Sequence, residues 1–191
     1  MRLFVALNIP SEVRDALGEL IKELSDADSA SSKSKARWVR AESLHITLKF
    51  IGHVDTAKLE PIRVALSQVH SPQAVELRFR GVGFFPNERR PRVFWAGIEA
   101  SPNLASLAGD IDAQLKDLGL PPETRAFTPH LTLARFDPPG ISEKLRAAIR
   151  KYITRDFGTL RSNEIHLIES KLKPSGAEYT TLHSFSFAAE A

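Results

Sequence analysis

Apolar and polar positions along the chain predict its elements before any chemistry is considered. The run from Arg2 to Asn8 reads as a β-strand, and Pro10-Ser11 offers an N-cap for an amphipathic helix from Glu12 to Leu24. Residues 25–35 are dominated by Ser, Asp, Ala and Lys without apolar periodicity, which predicts a mobile loop. A strand over 44–51, a helix over about 56–69 and a strand within 74–80 follow, the last leading into Gly81-Val82-Gly83-Phe84-Phe85-Pro86. Beyond it the pattern predicts a strand at Arg92–Ala96, a helix over 103–118 capped by Ser101 with Pro102 at its first position, and a strand over 130–136. A helix from about Ser142 to Lys151 and strands near 163–170 and 179–187 complete the chain.

The second half repeats the order of the first. Arg92-x-Phe94-x-Ala96 matches Arg2-x-Phe4-x-Ala6 at 90 positions' distance, while His45 and His130 stand 85 apart, the shortfall falling to the extra loop of the first half. Each half reads strand, helix, His-bearing strand, helix, strand. That order predicts two similar, interleaved lobes within one domain, with repeat halves of approximately 1–90 and 91–191 related by an approximate twofold.

Composition then narrows the chemistry. With 42% hydrophobic and 26% charged residues the 191-residue chain can bury a sizeable core, and no apolar run reaches the ~18 residues that span a bilayer. Nor does the start carry a secretory signal, because Asn8 and Pro10 cut its apolar stretch short. A cytoplasmic protein without membrane attachment is expected. The absence of cysteine excludes disulfides, thiolate nucleophiles and sulfur-ligated metals, leaving His, carboxylates and hydroxyls to carry any catalysis. A net charge of +3 fits an anionic ligand and decides nothing alone.

The informative segments are His45-Ile46-Thr47-Leu48 and His130-Leu131-Thr132-Leu133. Residue frequencies give about 0.03 expected occurrences of His-x-Thr-Leu in such a chain, so two are unlike chance. On a strand, alternate side chains share a face, so each His projects beside its Thr while the residues between face the core. Two such strands facing one cleft suit in-line displacement at phosphorus. One imidazole takes a proton from the attacking water and the other gives one to the departing oxygen, while the Thr hydroxyls donate to the non-bridging oxygens. This arrangement requires no metal and no cofactor. A lone strand histidine is more often a satisfied structural residue; repetition at matching positions reverses that weighting for this pair, whereas His53, His70, His166 and His183 keep the structural reading.

Arg135 is a candidate phosphate clamp, although strict alternation puts it on the face opposite His130 unless the strand bulges. Lys49 and Arg92 are weaker cationic candidates. Phe84, Phe85, Trp95 and Tyr179 are candidates for stacking a base, with core packing the commoner job for such residues.

The chain resembles the two-histidine phosphoesterases, and among them the LigT/ThpR-like RNA 2',3'-cyclic phosphodiesterases, across nearly its full length. The resemblance rests on Arg2–Leu7, Trp38-Val39, Leu44–Gly52, Arg92–Gly97 and Phe127–Arg135, with Glu169–Leu172 and Gly176–Tyr179 resembling the family's last strands. It implies an α+β, bilobal fold whose antiparallel sheets line a central cleft with helices outside. It also implies hydrolysis of an RNA terminal 2',3'-cyclic phosphate to a 2'-phosphate; separately from the resemblance, a monomer is expected. His45 would protonate the 3'-oxygen, His130 would activate water, and Thr47, Thr132 and Arg135 would hold the phosphate. A 5'-hydroxyl in place of water would give a 2'-5' RNA ligase. Alternatives are a phosphodiesterase for small cyclic nucleotides, a metal-dependent phosphodiesterase, and a nucleotide- or RNA-binding module without turnover.

Overall fold

Strand β1 (Arg2–Asn8) buries Leu3, Val5 and Leu7 on one face and Phe4 and Ala6 on the other, so it belongs in the middle of a sheet. The computed structural model, which describes residues 1–29, 36–123, 127–173 and 176–188, places it there. The remaining elements are α1 (Ser11–Ser29), β2 (Ala36–Trp38), β3 (His45–His53), α2 (Leu59–Leu66), β4 (Val75–Phe85), β5 (Val93–Ala100), α3 (Asn103–Lys116), β6 (His130–Phe136), α4 (Glu143–Ile149), β7 (Asp156–Ser162), β8 (Glu164–Lys173) and β9 (Gly176–Ser186). They form one antiparallel sheet of order β3-β1-β8-β9 and a second of order β2-β6-β5-β4-β7. The two orders correspond strand for strand, with β2 added at one edge of the second. The halves exchange strands, for β4 lies beside β5 and β8 beside β1. Helices cover the outer faces, α1 packing on α4 and β7, and α3 on α2 and β3. Among the described residues no helix is long and apolar enough to cross a membrane.

Several elements depart from the sequence expectation. Helix α1 does not end at Leu24 but runs to Ser29, into the stretch expected to be a mobile loop. The Ser25 and Ser29 hydroxyls donate to the carbonyls of Lys22 and Ser25, and the buried Asp28 accepts from the Trp38 indole at 3.3 Å. A carboxylate anchors this turn, and apolar periodicity cannot register such an anchor. Residues 30–35, the remainder of that stretch, lie outside the described residues. β2 and β7 were not expected as strands: β2 has three residues, and Gly158, with φ of 115°, breaks the alternation between Phe157 and Leu160.

The repeat is real in the pairing but stands one residue off its sequence match. Ala6 lies opposite Thr47 and Asn8 opposite His45; in the other sheet Trp95 lies opposite Thr132 and Gly97 opposite His130. β1 therefore corresponds to β5 at a separation of 89 positions, not 90. Because a one-residue slip turns every side chain over, Phe4 lies on the face shared with Ala6 and Ile168, whereas Phe94 joins the main core.

Candidate active site

β3 and β6 carry the two His-x-Thr segments and share one irregularity. Pairing to β1 skips Leu48 and pairing to β5 skips Leu133, a bulge at the same place in each strand. Before the bulge the alternation is as expected: Ile46 and Leu131 enter the core while His45, Thr47, His130 and Thr132 are half-buried on the opposite face. After it the phase reverses. Lys49 and Ala134 turn inward, and Phe50 and Arg135 turn to the histidine face. The bulge thus removes the objection that alternation raised against Arg135.

That face opens on a cleft of about 750 Å³, large enough for a nucleotide, between the two sheets. His45, Thr47, His130, Thr132 and Arg135 all line it, as do Phe4, Phe50, Phe85, Leu172 and Tyr179. Of the six exposed large hydrophobic residues described, Phe50, Phe85, Leu172 and Tyr179 lie in this one cleft, a concentration that marks a binding surface. Two of the four stacking candidates, Phe85 and Tyr179, are therefore in place. Phe84 packs on Phe94 and Phe136, and Trp95 covers Gly83, where a Cβ would fall 2.3 Å from its ring. Phe50 and Leu172 were not anticipated from the sequence. Phe50 was open to discovery there, since it stands 85 residues before Arg135, as His45 stands before His130. Of the weaker cationic candidates neither lines the cleft: Lys49 is buried against Asp112, 2.5 Å away, and the Pro121 carbonyl, and Arg92 is exposed.

Each imidazole is held the same way. His45 Nδ1 lies 2.7 Å from the Ser43 carbonyl oxygen and His130 Nδ1 lies 2.8 Å from that of Thr128. A carbonyl only accepts, so both Nδ1 atoms carry hydrogen and donate, which leaves each Nε2 free to take or give a proton. Aromatic neighbours orient the rings further. His45 packs on Phe4 at 4.6 Å and meets Tyr179 edge-on at 4.9 Å, and His130 meets Phe85 edge-on at 5.3 Å. Burial lowers the pKa of His45 from the ordinary imidazole value, against the opposing effect of its hydrogen bond to Ser43. Among the described residues no group of three or more His, Asp or Glu gathers where a metal ion could be held.

Two antiparallel sheets, helices outside them and one histidine strand from each at a common cleft define an α+β phosphoesterase. The sequence profile of the LigT-like phosphoesterases matches residues 7–95 and 98–179, and the chain belongs to that family. It is a hydrolase acting on phosphodiester bonds. It is 35% identical over 185 residues to the RNA 2',3'-cyclic phosphodiesterase of Archaeoglobus fulgidus, covering 97% of this chain and 99% of that one. Its identity to the protein of the same name from Methanothermobacter thermautotrophicus is 33%, over 97% and 98% of the two chains. Among solved structures, TT0787 of Thermus thermophilus superposes with a TM-score of 0.78 at 31% identity, covering 98% of both chains. E. coli LigT complexed with 3'-AMP superposes at 0.73 with 25% identity over 97% of each.

Proposed function

We propose that this chain hydrolyses the 2',3'-cyclic phosphate at RNA ends to a 2'-phosphomonoester, with His45 and His130 as the proton carriers. The carrying observation is the pair of equivalent imidazoles, each fixed through Nδ1 to a carbonyl two residues back, each beside a threonine in one cleft. Relatives named for this activity along their full length support the substrate, and the 3'-AMP complex of E. coli LigT supports a nucleoside phosphate as occupant.

In the reaction, water adds to phosphorus opposite the 3'-oxygen and gives its proton to His130 Nε2. The P–O3' bond breaks, His45 Nε2–H protonates the 3'-oxygen, and the 2'-phosphate remains. The Thr47 and Thr132 hydroxyls donate to the non-bridging oxygens, and Arg135 neutralises the charge gathering there. Burial makes a protonated His45 a stronger acid than an ordinary imidazolium, and the anionic phosphodiester favours that protonated state when it binds. A 5'-hydroxyl in place of water, passing its proton the same way, would form a 2'-5' linkage.

The cleft needs strands from both halves of the chain, which supports one catalytic domain working as a monomer, and an RNA substrate fits action in the cytoplasm. The chemistry requires no metal, so incubation with 2',3'-cyclic AMP and excess chelator should give 2'-AMP. His45→Ala and His130→Ala should each lower turnover by at least ~100-fold. Near-normal rates in either variant would refute the paired mechanism, and loss of activity on chelation would restore the metal-dependent alternative.

A further inference from the structure

The two histidine strands differ just past the bulge, in a cleft whose lining also includes Arg2 on β1 and Glu123, and the difference continues beyond it. Phe50, 62% exposed, occupies on β3 the place that Arg135 holds on β6, and Phe4, Tyr179 and Leu172 extend that apolar wall. On the opposite wall Arg135 has a neighbour. β2, the strand without counterpart in the first sheet, pairs Arg37 directly with Arg135. Its flanking residues Ala36 and Trp38 pack against the core, so Arg37 projects to the same side as Arg135. Directly opposed residues of antiparallel strands have Cβ atoms about 5 Å apart, and like charges in that relation destabilise the pair. No carboxylate among the described residues forms a salt bridge with either guanidinium. The β2 edge is nonetheless firmly docked, through the Trp38 indole on Asp28 and the Val39 amide on the Leu133 carbonyl at 2.9 Å. An anion lying between the two arginines would turn this repulsion into binding.

The placement indicates which anion. From Thr132 to Arg135 the bulge leaves about two strand steps, ~7 Å, and β2 adds one strand spacing of ~4.8 Å outward. Arg37 is thus one short stride further from the threonine that faces the reacting phosphate. A mononucleotide has no group to place there, whereas a polynucleotide brings the phosphodiester on the 5' side of its terminal nucleotide.

We propose that Arg37 forms a second phosphate site that grips the RNA backbone one nucleotide before the cyclic end, with Arg135 standing between that phosphate and the reacting one, making the enzyme selective for oligonucleotides over cyclic mononucleotides. This deepens the proposed function and rests on it. The test compares kcat/KM for a trinucleotide ending in a 2',3'-cyclic phosphate with that for the cyclic mononucleotide, across a salt series. The proteins compared are the unaltered enzyme, Arg37→Gln, Arg37→Lys, and as control Arg78→Gln, whose guanidinium is paired with Asp156. Arg37→Gln should leave the mononucleotide within about twofold and lower the trinucleotide value about tenfold, mainly through KM. It should also reduce the slope of log(kcat/KM) on log salt by about 0.7, one single-strand phosphate contact. Arg37→Lys should keep most of both, and Arg78→Gln should change neither. Equal losses on the two substrates, or none on the trinucleotide, would overturn the second site. Failure of the unaltered enzyme on both substrates would remove the activity instead. Fluorescence anisotropy of a labelled trinucleotide ending in a 2'-phosphate then decides the second site: it stands if Arg37→Gln weakens binding and falls if affinity is unchanged.

Discussion

His45 gives up part of its contact with water to hold its place between Phe4 and Tyr179, and the consequence is electrostatic. Burial favours its neutral form and lowers its pKa, and the same is true of His166, which is buried on β8 with Nδ1 2.9 Å from the Ser184 hydroxyl. In each case the unfolded chain binds a proton more readily than the native one. Stability contributed by the two rings is therefore fully present above the unfolded pKa of about 6.5 and is lost as pH falls through the lowered native values. The urea midpoint should decline from about pH 7.5 to about pH 5, well above the range in which carboxylates such as Glu23, held low by Lys151, and Asp156, held low by the Gly158 amide and then by Arg78, take up protons. His166→Gln should flatten part of that decline without touching the cleft, since His166 does not line it. A midpoint independent of pH across this window would show that the rings are not buried as described.

At the scale of the element, the shared bulge of β3 and β6 decides which side chains meet the substrate. It also explains an otherwise improbable feature, a lysine in the core. Lys49 takes the position that Ala134 takes in the second sheet, at 5% exposure, and reaches Asp112 on α3 and the Pro121 carbonyl at 2.6 Å. Asp112 in turn accepts from the Glu123 amide at 2.8 Å, so the buried pair ties the first histidine strand to the segment leading toward the second. Lys49→Met keeps the volume but strands the carboxylate. It should cost about 3 kcal/mol in urea unfolding, and Lys49→Met with Asp112→Asn should recover much of that. A single-variant loss below about 1 kcal/mol would mean the pair contributes nothing as a buried contact. The bulge also sets the limit of what could be read from the amino acids. His45, Thr47, His130 and Thr132 were legible because alternation holds up to Leu48 and Leu133. Past those residues alternation misplaced Lys49 and left Arg135 undecided, for a skipped residue leaves no mark in the pattern of polar and apolar letters. The same shift hid Phe50 from alternation, leaving its 85-residue offset from Arg135 as the one signal that pointed to it. The Arg-x-Phe-x-Ala match misled by a single position for a related reason: letters can repeat where side-chain faces do not.

At the scale of the molecule, the exchange of β4 and β8 between the sheets couples the two halves of the chain. β1 has β3 from its own half on one side and β8 from the other half on its other side; β5 is likewise held between β6 and β4. Removing either half would strip a buried central strand of one partner and open its backbone groups to water, at a cost no local contact offsets. Unfolding one sheet should therefore unfold the other. The two tryptophans, Trp38 and Trp95, both lie in the second sheet, whereas backbone circular dichroism reports on both sheets and all helices. A cooperative molecule should give the same urea midpoint by tryptophan fluorescence and by circular dichroism. Fluorescence melting out at a separate midpoint would mean that the sheets fold as independent units, and that the cleft between them is assembled by docking instead of by the shared strands.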